Sequence, residues 1–150
     1  MTPRHHLPLV AAAALLTLGL AACGSDDAST TTSSAAAAAP SPVSPITAAD
    51  PDAFVAVIGT PGVTLIDVRT PDEFAAGHVD GAINIDFQSP TFADDIGKLD
   101  HTAAYAVYCH SGNRSGQAEA LMASIGFTNM TDLTGGITAW TAAGMKTVAG

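Results

Sequence analysis

Short apolar segments alternate with helical patterns along the chain after residue 47, and this alternation limits the fold more than any other feature. The strand-like segments are rich in β-branched or aromatic residues and lie at residues 63–68, 82–85, 104–108 and, more weakly, 130–133. Helical patterns are predicted at residues 48–58, 71–76, 92–99, 115–125 and 137–143. Strands that alternate with helices predict an α/β fold with a mostly parallel sheet and helices on both faces.

Local signals support the boundaries of two helices. Thr70, Pro71 and Glu73 match an N-cap, a proline in the first helical position and a capping-box glutamate three residues after the cap. The later helix is predicted to bury one apolar face, formed by Ala118, Leu121, Met122 and Ile125.

The first 45 residues have the composition of an export signal followed by a tether. Arg4 precedes an apolar run at residues 7–20, which is as long as a signal-peptide core and shorter than a membrane span. Small residues and Cys23 follow, which resembles a bacterial lipobox. We therefore expect a lipoprotein signal peptide over residues 1–22, lipid on Cys23, a disordered Ser/Thr/Ala/Pro tether over 23–45 and a folded domain over 46–150. The alternative is an ordinary signal peptide with an incidental cysteine.

Export would place the protein outside the cytoplasm, in the periplasm or on the outer face of the cell membrane, where the lipid anchors it. Cleavage would remove Arg4 and leave four basic against fourteen acidic residues, a net charge of −10. So acidic a surface argues against nucleic acid as a partner, and an anionic substrate would need a local positive site. With Cys23 lipidated, Cys109 is the only remaining thiol, so no intramolecular disulfide is expected.

The residues after the third strand-like segment form the candidate reactive loop. Cys109 ends that segment, Gly112 lies in the loop, and a helical pattern begins at Ser115. Backbone N–H groups in such a loop can converge on an anion, and the helix dipole adds to their effect, so a thiolate would be favoured. Arg114 adds a positive charge suited to an oxyanion. The alternative is a buried, inert thiol.

Four blocks of the sequence resemble a rhodanese domain. They are "LIDVRTPDEF" at 65–74, "GHVDGAINI" at 77–85, "CHSGNRS" at 109–115 and "LTGGITAW" at 133–140, and they occur in the order typical of that family. The resemblance implies a rhodanese-like fold and a sulfurtransferase whose cysteine, Cys109, carries sulfane sulfur as a persulfide. Asp80, Asp86 and Met145 depart from the family pattern outside the reactive loop.

The spacing in the loop distinguishes sulfur from phosphate chemistry. Cysteine-dependent phosphatases need five residues between the cysteine and the arginine, whereas four separate Cys109 from Arg114. The resemblance therefore implies that thiosulfate or a similar small donor loads Cys109 and that cyanide or a thiol accepts the sulfur. The residues expected to bind these substrates are His110, Ser111, Gly112, Asn113, Arg114 and Ser115.

Asp67 and Arg69 lie at the end of another predicted strand and border the same edge of the sheet. We interpret them, with Glu73 and His78, as a structural polar network, and the alternative is a place in the substrate cleft. No metal site is expected, because Cys109 and His110 are adjacent and no second pair has ligand spacing. No cofactor is expected either.

A second functional hypothesis stays open on the sequence alone. A rhodanese-like fold can also act as a non-catalytic module that binds a partner or senses sulfide or redox state. The presence of Cys109 favours the enzyme, but a redox sensor would use the same reactive thiol.

Overall fold

A parallel sheet lies at the centre of residues 45–150, the part of the chain that the computed structural model describes. Within those residues the strands are β1 (Ile46–Ala49), β2 (Val63–Asp67), β3 (Ile83–Asn84), β4 (Ala104–Tyr108) and β5 (Met130–Leu133). They form one sheet in the order β1-β5-β4-β2-β3, and each neighbouring pair is parallel. β4 is therefore central, and its side chains are buried on both faces.

Helices cover both faces of the sheet, as predicted. They are α1 (Pro51–Ile58), α2 (Pro71–Ala76), α3 (Phe92–Ile96), α4 (Asn113–Ser124) and α5 (Gly136–Ala142). One core cluster joins α1 and α5 to the sheet through Phe54, Ile137 and Trp140. The other joins α3 and α4 to the opposite face through residues that include Phe92 and Met122. The α/β fold class is thereby confirmed.

The alternation of side chains along β4 determines where its terminal cysteine points. Ala106 and Tyr108 pack in the cluster with α1 and α5, whereas Val107 and Cys109 pack in the cluster with α3 and α4. Successive side chains of a strand point to opposite faces, so Cys109 lies on the face covered by α4.

Several predicted element boundaries differ from the structure, three of them by more than one residue. Residues 48 and 49, predicted to begin a helix, belong to β1, and α1 begins only after the N-cap Asp50, whose side chain accepts a hydrogen bond from the Ala53 N–H at 2.9 Å. The residues of β1 are Ile, Thr and Ala, which give it no strong strand propensity of its own. Its strand conformation results from pairing with β5. The helix predicted at 92–99 ends at Ile96, and α4 begins at Asn113 rather than at 115.

The capping box of α2 is present as predicted, but the predicted buried face of α4 is partly wrong. Ala118 and Met122 are buried, whereas Leu121 and Ile125 are exposed. Ser115 and Glu119 are buried in their place. Residues 115, 118, 119 and 122 follow the same i, i+3, i+4, i+7 spacing, so the buried face of α4 contains two polar side chains.

The predicted signal peptide, the predicted lipidation site Cys23 and the predicted tether up to residue 44 lie outside the described residues. Within residues 45–150, no helix is long and apolar enough to cross a membrane.

Candidate active site

The loop that joins β4 to α4 encloses the sulfur of Cys109. The loop turns at Gly112, whose positive φ of 95° is a conformation that glycine adopts at little cost. This turn directs the Gly112 N–H at the Cys109 Sγ, at 3.1 Å. The cysteine therefore lies at the carboxyl end of the central strand and beside the start of a helix, where ligands of open α/β sheets commonly bind.

Several donors converge on the Cys109 sulfur. The Ser115 hydroxyl lies 3.6 Å from Sγ, and the backbone N–H groups of Ser111, Gly112 and Ser115 also point at it. Burial disfavours the thiolate, but these hydrogen bonds outweigh burial and hold the pKa of Cys109 below its ordinary value. Cys109 is a free cysteine and is only 1% exposed. The loop therefore favours the nucleophilic form of the thiol.

The start of α5 holds the reactive loop from the other side. The Ile137 N–H donates to the Cys109 carbonyl at 2.9 Å, and the backbone N–H and the hydroxyl of Thr138 both donate to the His110 carbonyl. Gly136 has a φ of 60°, and a Cβ placed there would lie 2.5 Å from the Cys109 carbonyl oxygen. Gly135 and Gly136 belong to the block at residues 133–140, and the absence of a side chain at Gly136 lets α5 approach the loop backbone.

Arg114 is bound to a carboxylate rather than left free over the loop. Its guanidinium forms two hydrogen bonds with Glu73, Nη1 to Oε2 at 2.6 Å and Nη2 to Oε1 at 2.8 Å. Glu73 also completes the capping box with Thr70. The Arg114 guanidinium is the main cause that lowers the pKa of Glu73 to about 2, so the pair is ionised over the ordinary pH range.

The residues interpreted as one polar network form separate groups. The Arg69 guanidinium makes several hydrogen bonds to the buried Asp67 carboxylate and another to the Gly77 carbonyl at 2.8 Å. His78 instead stacks on Phe74, with ring centroids 3.7 Å apart. Asp67 and Arg69 are thus a buried ion pair that braces the ends of β2 and α2, and Glu73 belongs to the pair with Arg114.

A cleft of about 420 Å³ lies beside the loop. Its lining includes His110, Arg69 and Glu73, and Thr138 and Thr141 of α5. The cleft therefore borders both ion pairs of the site, Asp67 with Arg69 and Glu73 with Arg114, and its lining includes His110, the residue that follows Cys109.

The remaining loop residues face outwards. His110, Ser111 and Asn113 are exposed, and Asn113 accepts a hydrogen bond from Gln117 at 2.9 Å. Among residues 45–150, no three His, Cys, Asp or Glu side chains are grouped so that they could hold a metal ion.

Sequence reasoning missed two acidic residues behind the loop. Glu119 on α4 is 1% exposed, and Asp132 on β5 is half-buried. The helical spacing of Glu119 from Ser115 was a usable signal, since a residue one turn after a buried serine lies on the same face. No sequence pattern pointed to Asp132.

Comparisons with known proteins agree with this geometry. The model of the rhodanese-like domain family matches residues 50–143. The chain is 38% identical over 79 residues to the thiosulfate sulfurtransferase GlpE of Pseudomonas entomophila, covering 53% of this chain and 71% of the relative. It is 35% identical over 98 residues to the chloroplastic thiosulfate sulfurtransferase 16 of Arabidopsis thaliana, covering 59% and 82%.

Solved structures show the same fold. A rhodanese-related protein from Thermoplasma volcanium superposes with a TM-score of 0.60 at 28% identity, covering 68% of this chain and 97% of that one. The Alr3790 protein from Anabaena superposes with a TM-score of 0.61 at 28% identity, covering 67% and 82%.

Proposed function

Because the chain belongs to the rhodanese-like domain family, we propose that it is a sulfurtransferase in which Cys109 carries sulfane sulfur as a persulfide. The observation that carries the proposal is the convergence of three backbone N–H groups and the Ser115 hydroxyl on the Cys109 Sγ. Relatives at 35–38% identity bear the name thiosulfate sulfurtransferase, which supports the same reaction class for this chain.

The first half-reaction loads the cysteine. The Cys109 thiolate attacks the sulfane sulfur of a donor such as thiosulfate, and a new S–S bond forms. The bond between the sulfane sulfur and the sulfonate sulfur breaks, and sulfite leaves with the electron pair. The negative charge then rests on the outer sulfur of the persulfide, and N–H groups of the loop stabilise it.

The second half-reaction unloads the cysteine. A nucleophile, either cyanide or a thiolate, attacks the outer sulfur, and the Cys109 thiolate is the leaving group. The same hydrogen bonds that favour the thiolate in the free protein make it a good leaving group here. The two steps together transfer one sulfur atom and need no external oxidant or reductant.

The cleft beside the loop offers a place for the donor. Arg114 attracts an anionic donor, and the bound Glu73 offsets part of its charge. Polar groups of His110 and Thr138 border the same cleft. A small donor with oxygen acceptors fits this lining better than an apolar one.

The decisive experiment uses the full-length chain purified in detergent, with each cysteine replaced in turn. We expect the unsubstituted chain and Cys23→Ser to release thiocyanate from thiosulfate and cyanide, and Cys109→Ser to fall to the uncatalysed rate. Mass spectrometry after donor treatment should show a gain of one sulfur on the peptide that contains Cys109. Equal rates in all three proteins, or oxygen rather than sulfur added to Cys109, would overturn the proposal in favour of a binding or redox-sensing module.

We also propose that the protein is exported and anchored to a membrane by lipid on Cys23. The apolar run at residues 7–20, the small residues before Cys23 and the Ser/Thr/Ala/Pro segment after it support this location. In cells fed a labelled fatty acid, the label should appear in the unsubstituted chain and in Cys109→Ser. It should be absent from Cys23→Ser, and label that persists in that variant would exclude Cys23 as the site.

A further inference from the structure

Four polar side chains are grouped in the interior between α4 and the sheet. Cys109 and Val107 lie two residues apart and point to the α4 side of β4. Asp132 of β5 is the register partner of Val107, so it points to the same side. Ser115 and Glu119 lie one turn apart on the buried face of α4, which packs against β4 and β5. We name this group the buried acid cluster: Cys109, Ser115, Glu119 and Asp132.

The cluster contains acids without a cation to balance them. Among the described residues, the guanidinium of Arg69 is bound to Asp67 and that of Arg114 to Glu73, and no ion pair includes Glu119 or Asp132. Neither carboxyl oxygen of Glu119 has a hydrogen-bond partner, and the same holds for Oδ1 of Asp132. Three negative charges in so small an interior space would repel one another strongly.

The backbone N–H donors of the loop serve the sulfur and not the carboxyl groups. Three backbone N–H groups point at the Cys109 Sγ, whereas Glu119 receives none. A negative charge is therefore better stabilised on the sulfur, and a proton is better held by the carboxyl groups. Burial, then the charge of Asp132, then that of Cys109, raise the pKa of Glu119 to about 8, and burial raises the pKa of Asp132.

Ser115 connects Asp132 to the sulfur. Its hydroxyl is 3.6 Å from the Cys109 Sγ and is also hydrogen-bonded to Asp132. A hydroxyl has a single hydrogen, which can go to the sulfur or to the carboxylate but not to both. When Asp132 carries a proton it can donate to the Ser115 oxygen, and the serine hydrogen is then free for the sulfur.

We propose that Glu119 and Asp132 are positioning residues that hold protons behind Cys109. Ionisation of either carboxyl group therefore disfavours the Cys109 thiolate, and the thiolate disfavours ionisation of the carboxyl groups. The inference rests on the proposed function, because it assumes that Cys109 works as a thiolate. The groups that face Glu119 are Asp132 on β5, Cys109 at the end of β4 and Ser115 on the same helix as Glu119. Arg114 acts on Cys109 through its positive charge. Ionisation of Glu119 would raise the pKa of Cys109, so the thiolate forms at lower pH while Glu119 keeps its proton.

Persulfide formation changes the position of the negative charge relative to the buried acid cluster. In the free enzyme the negative charge is on Sγ, next to Glu119. In the persulfide the charge has moved one sulfur further away, so Glu119 ionises at lower pH than beside the thiolate. The cluster therefore responds to whether Cys109 is loaded.

The test follows the thiolate by its ultraviolet absorbance in the full-length chain, subtracting the spectrum of Cys109→Ser in the same background so that Cys23 cancels. In the unsubstituted chain the titration should be broader than a one-proton curve, because Cys109 titrates together with the two carboxyl groups. Glu119→Gln should narrow the titration curve and shift its midpoint to lower pH, and Asp132→Asn should shift the midpoint in the same direction. Asp94→Asn, which removes an exposed carboxylate, should leave the curve unchanged. Identical curves for Glu119→Gln, Asp94→Asn and the unsubstituted chain would overturn the proposal.

A second measurement does not depend on the folding of a carboxyl variant. The infrared C=O stretch of a protonated carboxylic acid should be visible in the unsubstituted chain at neutral pH, and it should titrate at lower pH in Cys109→Ser. Absence of the band, or equal midpoints, would overturn the proposal. Neither readout requires sulfur transfer: coupled titration without thiocyanate formation would count against the proposed function alone. Activity with uncoupled titration would count against the buried acid cluster alone.

Discussion

Arg114 and Glu73 lie 41 residues apart in the chain and form a two-bond ion pair at the mouth of the reactive loop, with N–O distances of 2.6 and 2.8 Å. The pair places the Glu73 carboxylate in the cleft beside the loop, where we propose that an anionic donor binds. It also fixes the guanidinium in one orientation, since both of its terminal nitrogens are used. Glu73 thus holds the Arg114 guanidinium in place and also neutralises part of its charge.

We expect Glu73→Gln to bind thiosulfate more tightly than the unsubstituted chain. Removal of one negative charge near a dianionic donor should lower KM several-fold, as ~1 kcal/mol corresponds to about fivefold, while kcat changes little. Glutamine can still complete the capping box with Thr70. Steady-state kinetics at fixed ionic strength measure the effect, and Asp72→Asn, an exposed neighbour on α2, is the matched control. An unchanged KM in Glu73→Gln would show that the charge of Glu73 does not oppose the donor, and a higher KM would show that Glu73 is needed to orient Arg114.

Ser115→Ala should raise the pKa of Cys109. The hydroxyl is one of the groups that stabilise the thiolate, and the backbone N–H of residue 115 remains in the variant. We expect the thiolate midpoint to move up by about one pH unit or less, which matches the ~1 kcal/mol of one hydrogen bond. Ser124→Ala removes a hydroxyl from the exposed end of the same helix and serves as the control. Equal midpoints in the two variants would remove Ser115 from the set of groups that favour the thiolate.

Gly136→Ala should disrupt the contact between α5 and the reactive loop. A Cβ at Gly136 would lie 2.5 Å from the Cys109 carbonyl oxygen and 2.6 Å from the His110 carbonyl carbon, so the backbone must move. We expect a loss of about 2–4 kcal/mol in the free energy of unfolding, from the clash and the positive φ together. Gly144→Ala has the same kind of φ with no atom within 4 Å, and it should lose only about 1 kcal/mol. Urea denaturation of both variants separates clash from strain, and equal losses would mean that the loop yields without cost.

The fold was predictable from the sequence where strands are buried on both faces. β4 begins and ends as predicted, because its run of β-branched and aromatic residues is typical of a central parallel strand. β1 was not predictable, since residues such as Thr47 and Ala48 fit a helix as well as a strand and only the pairing with β5 decides. A local sequence pattern cannot predict pairing with a strand that lies 84 residues further along the chain.

Some features of the candidate active site could likewise be predicted from the sequence and others could not. The turn at Gly112 and the position of Cys109 follow from a local loop between a strand and a helix, which the sequence displays directly. The partner of Arg114 depends on how α2 packs beside the loop, and no spacing in the sequence specifies it. Glu119 was hidden by the expectation that α4 buries only apolar residues, although its spacing from Ser115 indicates the buried face.

Glu119→Met should make the folded protein more stable at alkaline pH. A group whose pKa is raised on folding, here from 4.5 to about 8, keeps its proton more tightly in the folded state. The folded state therefore loses stability as pH rises from about 4.5 to 8, and the loss is complete above that range, up to about 3–5 kcal/mol. Methionine has a similar length and no charge, so the variant should lack this loss and match the unsubstituted chain most closely near pH 4. Urea denaturation at pH 4, 6.5 and 9 measures the difference, with Asp94→Asn as the control for net charge. A gap that stays constant with pH would show that Glu119 ionises in the folded state as readily as in the unfolded chain.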